Sequence, residues 1–264
     1  MRKYFWWICC VFLIFSVSVI AWKPDTKKTT TTKTVTTKNT ARNMFEQYVN
    51  TVYQTAQLQE TGLDLEVFQK ALTGYFNIKL ANKLPENSAV ITIVDFSKSS
   101  CQKRMWIIDV LNKQLLLNTW VAHGSGSGDD IPDRFSDSND SHQSSLGFYL
   151  TDDVYMGKHG RSLKLDGLDE GFNASARARA IVIHAANYVS QNTIDQHGRL
   201  GRSFGCPAVS PKVLEQVIKN IKGKTVLFIT GNDPSYNSKY LDENVFANFI
   251  SPDSNSTVTA AVKY

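Results

Sequence analysis

A cysteine in a glycine-rich turn and a histidine at the end of an apolar run are the residues of this sequence best equipped for chemistry. Cys206 lies in Gly201-Arg202-Ser203-Phe204-Gly205-Cys206-Pro207, just ahead of a helix that begins near Pro211. A free thiol there is expected to be exposed and near several backbone N–H groups, which favours the thiolate. His184 closes the run Ile181-Val182-Ile183. A loop thiol and a strand-end imidazole are the raw material of a nucleophile and its general base. A histidine in that position serves equally well as a satisfied core residue. Cys101, in Ser99-Ser100-Cys101-Gln102, leaves a disulfide with Cys206 open in an oxidising compartment. Zinc is the competing use, but the sequence has no His-Glu-x-x-His and no Cys-x-x-Cys, so no metal site is expected.

The elements that must position these residues follow from periodicity. Met44, Phe45, Tyr48, Val49, Val52 and Tyr53 recur at helical spacing and predict a helix over 41–59. After Gly62, Asp64 reads as an N-cap for a second helix carrying Val67, Phe68, Ala71, Leu72, Tyr75 and Phe76. The two make a helical hairpin over 41–84, with Pro85 and Glu86 at the boundary. The pattern then becomes β-rich, with strands expected over 89–96, 105–110, 114–122, 146–151, 163–168, 179–185 and 224–230 and a turn at Leu111-Asn112-Lys113. A short helix is expected over 211–220. Residues 123–145, rich in Gly, Ser and Asp, form a long loop, which a compact domain keeps only for a purpose. The fold class is therefore mixed α/β, mainly β, with the catalytic-type domain over 85–231 and a C-terminal extension over 232–264 that wraps the body or hangs loose.

Charge and hydropathy set the compartment. Of the formal +5, Arg2 and Lys3 contribute +2 and the segment from Lys23 to Arg42 contributes +5, which leaves residues 43–264 at −2. A nucleic-acid binder needs its positive charge on the folded surface, so that class is excluded. Arg2 and Lys3 precede an uncharged run from Tyr4 to Trp22, so residues 1–21 read as an export signal or an uncleaved membrane anchor. Either places the body outside the cytoplasm, with contact to a membrane only through this segment. Residues 22–40 read as a tether: Thr26 to Thr40 holds nine Thr and four Lys and has almost nothing apolar to bury.

In order, Ile181-Val182-Ile183-His184, then eighteen residues, then Ser203-Phe204-Gly205-Cys206 resembles the L,D-transpeptidase catalytic domain family, the cysteine enzymes that cross-link peptidoglycan. The resemblance is nearest to the murein L,D-transpeptidase catalytic domain branch. It extends over Val121-Ala122-His123-Gly124, Ser144-Ser145-Leu146-Gly147-Phe148-Tyr149, Gly157-Lys158-His159-Gly160, Leu165-Asp166-Gly167-Leu168 and Gly201-Arg202-Ser203, and covers roughly residues 63–231. It implies that family's β-rich catalytic fold. The better-known branch carries Arg or Asn two positions after the cysteine, where this chain has Ala208, so the chemistry transfers better than the substrate pocket.

By that resemblance, Cys206 is the nucleophile and His184 the general base, acting on a tetrapeptide stem with release of D-Ala. A thioester acyl-enzyme then passes its acyl group to a diamino-acid amine, giving a 3→3 crosslink. The partners implied are peptidoglycan stem peptides, with a carbapenem adduct at the cysteine as a further expectation. No cofactor is implied, because acyl exchange at a thiol needs none. Backbone N–H groups of Gly205 and Cys206 are the expected oxyanion donors. Ser203 would orient His184 or brace the loop. Arg202 would pair with a stem carboxylate or face solvent. His123, Gly124 and, more weakly, His159 are the other candidates for substrate binding, and the Gly124-Gly126-Gly128 stretch reads as a flexible lid. An L,D-carboxypeptidase, a crosslink hydrolase and a non-catalytic wall-binding protein are the alternatives.

Overall fold

The computed structural model describes residues 31–243, with side chains from residue 42. The expected leader over 1–21 and the first part of the tether lie outside the described residues. The chain divides into two units, Met1–Asn39 and Thr40–Tyr264, and the description below concerns the second. No helix among the described residues is long and apolar enough to cross a membrane.

Helix α1 runs over Thr31–Thr55 and so begins within the Thr/Lys tract instead of after it. Threonine is a poor helix nucleator. Extending a helix already fixed by packing costs far less than starting one, and Phe45, Val49 and Val52 bury that helix against the body. Gly62, at φ +78°, turns the chain, and α2 (Leu65–Leu80) starts where the Asp64 carboxylate accepts the Glu66 N–H.

Eight strands make one sheet: β1 (Val90–Asp95), β2 (Met105–Asp109), β3 (Gln114–Thr119), β4 (Gly147–Gly157), β5 (Gly160–Gly167), β6 (Val182–Ala185), β7 (Ala208–Val209) and β8 (Val226–Thr230), in the order β3-β2-β1-β8-β4-β5-β6-β7. The pairs β1·β8 and β6·β7 are parallel, and the others antiparallel. Past β3 the chain bridges at Ala122 to Ala208 of β7, so the two ends of the sheet meet and it nearly closes into a barrel. Two helices complete the body, α3 (Gln191–His197) and α4 (Leu214–Ile221).

Strand alternation sorts the core into two layers. Ile91 and Ile93, Trp106 and Ile108, and Val226 and Phe228 face the layer shared with α1 and α2. Val94, Met105 and Ile107, and Leu227 and Ile229 face the interior layer, which α4 covers with Val217, Ile218 and Ile221. Burial on both faces explains why β2 and β8 consist mostly of apolar residues. The C-terminal extension wraps the body as far as it is described. Tyr240 is buried, Asn77 donates to the Tyr240 and Asp242 carbonyls, and Asp169 accepts from Tyr236 and Ser238.

The expected strands are present with shifted ends. β4 and β5 are longer than their apolar runs because they continue into a hairpin whose tip is Lys158-His159. β6 starts at Val182, and α4 starts at Leu214 and not at Pro211.

Candidate active site

The end of β6 and the turn before β7 bring the two expected reactive residues onto neighbouring strands. In the parallel β6·β7 pair His184 is registered with Ala208, two residues beyond Cys206. His184 is buried, and its Nδ1 lies 3.0 Å from the carbonyl of Ala185. A carbonyl only accepts, so Nδ1 carries the hydrogen and Nε2 keeps the lone pair. Burial, opposed by that hydrogen bond, holds the imidazole below its ordinary value, and His159 lowers it further. The His159 ring stacks on the His184 ring, with centroids 4.3 Å apart and planes 21° apart.

Cys206 is half-buried and its thiol donates to the Ala180 carbonyl at 3.8 Å. Burial pushes the thiol up, against smaller opposing effects of the Val182 N–H and the Arg179 charge. The expectation of a favoured thiolate is therefore corrected: burial outweighs the Val182 N–H and the Arg179 charge. Cys101 and Cys206 are both free thiols, so the disulfide is not formed; Cys101 donates to the Gly198 carbonyl at 3.1 Å.

The turn itself is braced by Ser203, whose Oγ donates to the Cys206 carbonyl at 2.6 Å and accepts the Gly205 N–H at 3.1 Å. Of the two readings of Ser203, the loop brace is the one found. The same bond removes Gly205 as an oxyanion donor and leaves the Cys206 N–H, for which no acceptor is present among the described residues. Gly205 sits at φ +115°, and a Cβ there would lie 2.7 Å from the Gln143 carbonyl oxygen. Gly124 is as confined, since its Cβ would meet the His142 carbonyl at 2.4 Å and the Gly205 backbone at 2.9 Å. Gly124 is thus a packing partner of the cysteine turn, fixed by its bridge to Ser203.

His123 is buried to 1% exposure and does not line an open cleft. Its Nδ1 accepts from Arg104 Nη2 at 2.8 Å, so the ring is neutral with its hydrogen on Nε2. Burial and the Arg104 charge push it down to about 4, with the Gly128 carbonyl opposing weakly. Arg104 is itself fully buried, held by the Val121 and Lys98 carbonyls and 4.9 Å from the centre of the Phe96 ring. Arg202 is also committed internally. It donates to the Gly128 carbonyl at 2.8 Å and pairs with Asp129, which Arg199 also binds. The long loop is tied down by more than Arg202. Ser125–Ser127 is a 3₁₀ turn, Gly126 N–H donates to the His142 carbonyl, and Ser127 Oγ accepts the Ser144 N–H.

Sequence reasoning missed Arg179 and Ala185. Arg179 spans the loop, donating to the Ser136 and Gln143 carbonyls and to Ser141 and Ser145, and its charge acts on Cys206. Its partners lie 34 to 43 residues away in sequence, so no local pattern announces it. Ala185 acts through its backbone, which no residue type encodes.

A family model described as the L,D-transpeptidase catalytic domain matches residues 59–230. A comparison with curated protein sequences returns no match. Among solved structures, an L,D-transpeptidase from Mycobacterium smegmatis is 10% identical, with 55% of this chain and 59% of that one covered and a TM-score of 0.34. One from Stackebrandtia nassauensis is 11% identical over 64% and 69%, with a TM-score of 0.33. The helical cell shape determining protein Pgp2 of Campylobacter jejuni is 12% identical over 68% and 62%, with a TM-score of 0.40. The chain thus spans about three fifths of the length of the first of these. On the match of the family model, which takes in both strand ends and the cysteine turn, the chain belongs to the L,D-transpeptidase catalytic domain family.

Proposed function

We propose that this protein is a cysteine L,D-transpeptidase that forms 3→3 crosslinks between peptidoglycan stem peptides outside the cytoplasm. The observation that carries the reading is the β6·β7 register together with the Ala185 carbonyl on His184 Nδ1. Both support the reading of His184 as a base of fixed tautomer on the strand beside the cysteine turn. In the proposed reaction its Nε2 lone pair takes the thiol proton.

The chemistry begins from a neutral thiol and a neutral imidazole. Cys206 Sγ attacks the carbonyl that joins the third residue of a tetrapeptide stem to its terminal D-Ala, and His184 Nε2 takes the thiol proton. The Cys206 N–H stabilises the oxyanion. Collapse breaks the C–N bond. His184 returns its proton to the departing amine, and D-Ala leaves with a thioester behind it. The side-chain amine of a second stem then attacks the thioester. Its proton passes through His184 to the cysteine sulfur, and the new amide is released. Arg202 is bound to Gly128 and Asp129 and is not a free carboxylate clamp.

Mass spectrometry of the intact protein mixed with disaccharide-tetrapeptides tests this. The expected product is a dimer lighter by one D-Ala, absent with Cys206→Ala. A tripeptide monomer alone would assign the acyl-enzyme to water and make the protein a carboxypeptidase. No product, with a reduced thiol and folded protein, would overturn the reading.

A further inference from the structure

His159 sits at the tip of the β4–β5 hairpin, and Ser162 of the same hairpin is registered with His184. The tip residue is exposed, whereas the ring beneath it is 3% exposed. His159 therefore forms part of the roof over one face of the proposed base, and the near-parallel stack at 4.3 Å fixes that ring's plane. The resemblance of the sequence suggested substrate binding for His159, but its ring face is already used by His184.

We propose that His159 is a positioning residue that gates His184 by its own charge: neutral, it supports the imidazolium formed during attack, and protonated, it blocks that imidazolium. The inference rests on the reading of His184 as the base for Cys206. The physics follows from the stack. An aromatic face stabilises a cation placed over it, so neutral His159 favours transfer of the thiol proton to His184. Two positive charges at this separation repel strongly where water is partly excluded, so a proton on His159 makes His184 a poorer base.

The other ionisable groups around the pair do not substitute for His159. On β5, Arg161 is paired with Glu215 of α4, and Lys164 lies over the Tyr155 ring. On the β7 side are Cys206 and Tyr188, whose phenol is raised to about 12 by burial and by the cysteine. Arg179, in the turn before β6, acts on Cys206. Lys158 shares the hairpin tip. His159 is the charged group that acts on His184 itself.

The test compares the intact protein with His159→Phe, which keeps a flat ring and loses the charge, and with His159→Ala, which removes both. The titration of His184 is followed through its imidazole NMR signals, beside the pH profile of Cys206 acylation by a carbapenem. The expected result is a His184 midpoint that rises in both variants. In His159→Phe the acylation rate on the neutral plateau stays within about twofold of the parent, with an acid limb that reflects a single proton. In His159→Ala the plateau falls about tenfold as the base loses its fixed orientation. A His184 titration identical in all three proteins would overturn the proposal. The NMR readout needs no crosslinking, so a coupled pair in a protein that makes no crosslinks would sink the proposed function and leave this inference standing.

Discussion

In the proposed reaction Cys206 and His184 start uncharged, which separates them from a thiolate–imidazolium pair formed in advance. Burial holds the thiol above its usual range and the imidazole below its own. The proton therefore moves when the sulfur attacks and not before. Alkylation of Cys206 by iodoacetamide should accelerate only as the solution becomes alkaline, with a midpoint above the ordinary thiol value. A preformed ion pair would instead keep alkylation fast into acid solution. Replacing His184 by Gln should lower carbapenem acylation about a hundredfold or more, the usual weight of a positioned base, and stopped-flow fluorescence with the reduced protein would measure it. Cys206 and His184 stand out in the sequence because their types are rare and their spacing is distinctive. The ionisation state was not legible. It depends chiefly on how deeply the thiol and the imidazole are buried, which the fold decides and no local pattern announces.

The site is assembled from element ends and turns, where local patterns say least. The cysteine turn and the long loop approach through Gly124 and Gly205, each pressed against a carbonyl of residues 142–143. Gly205→Ala would place a Cβ at positive φ, and its nearest contact would be the Gln143 backbone oxygen, which is not a flexible side-chain tip. The expected outcome is a loss of about 2 kcal/mol in stability, from strain and a forced backbone shift, with acylation reduced far more than helix content. Urea denaturation followed by circular dichroism, beside acylation of the same sample, would check both. Unchanged acylation in a folded Gly205→Ala protein would contradict this packing. Strand β1 was readable from its alternating, β-branched residues, and burial on both faces leaves β2 and β8 as apolar runs. Helix α3 was not, since its seven residues present no buried side chain and so no apolar period. Strand β7 was not, since two residues carry no alternation, and only its partners His184 and Ala122 reveal it.

At the scale of the whole molecule, stability is linked to what lies behind the site. The C-terminal extension contributes Tyr240, 4% exposed and packed edge-on to Phe148, so Tyr240→Ala should cost roughly 3 kcal/mol in denaturant unfolding. The sequence showed only scattered polar residues there, because one aromatic anchor in an irregular arm makes no pattern. Deeper in the body, Arg104 and His123 join β2 to the segment that bridges β7. His123 stays neutral in the folded protein down to about 4, but takes up a proton near 6.5 when the chain unfolds. Between those values the unfolded state binds more protons, so stability is fully present above pH 6.5 and is lost as the pH falls toward 4. The loss attributable to this one ring is about 3 kcal/mol between pH 7 and pH 4. His123→Asn keeps an acceptor for Arg104 and removes the titration. Urea unfolding of both proteins at the two pH values should show the variant losing about 3 kcal/mol less than the parent on acidification. An equal loss in both would mean that His123 is protonated while the protein is still folded, and that the buried Arg104 guanidinium does not hold it neutral.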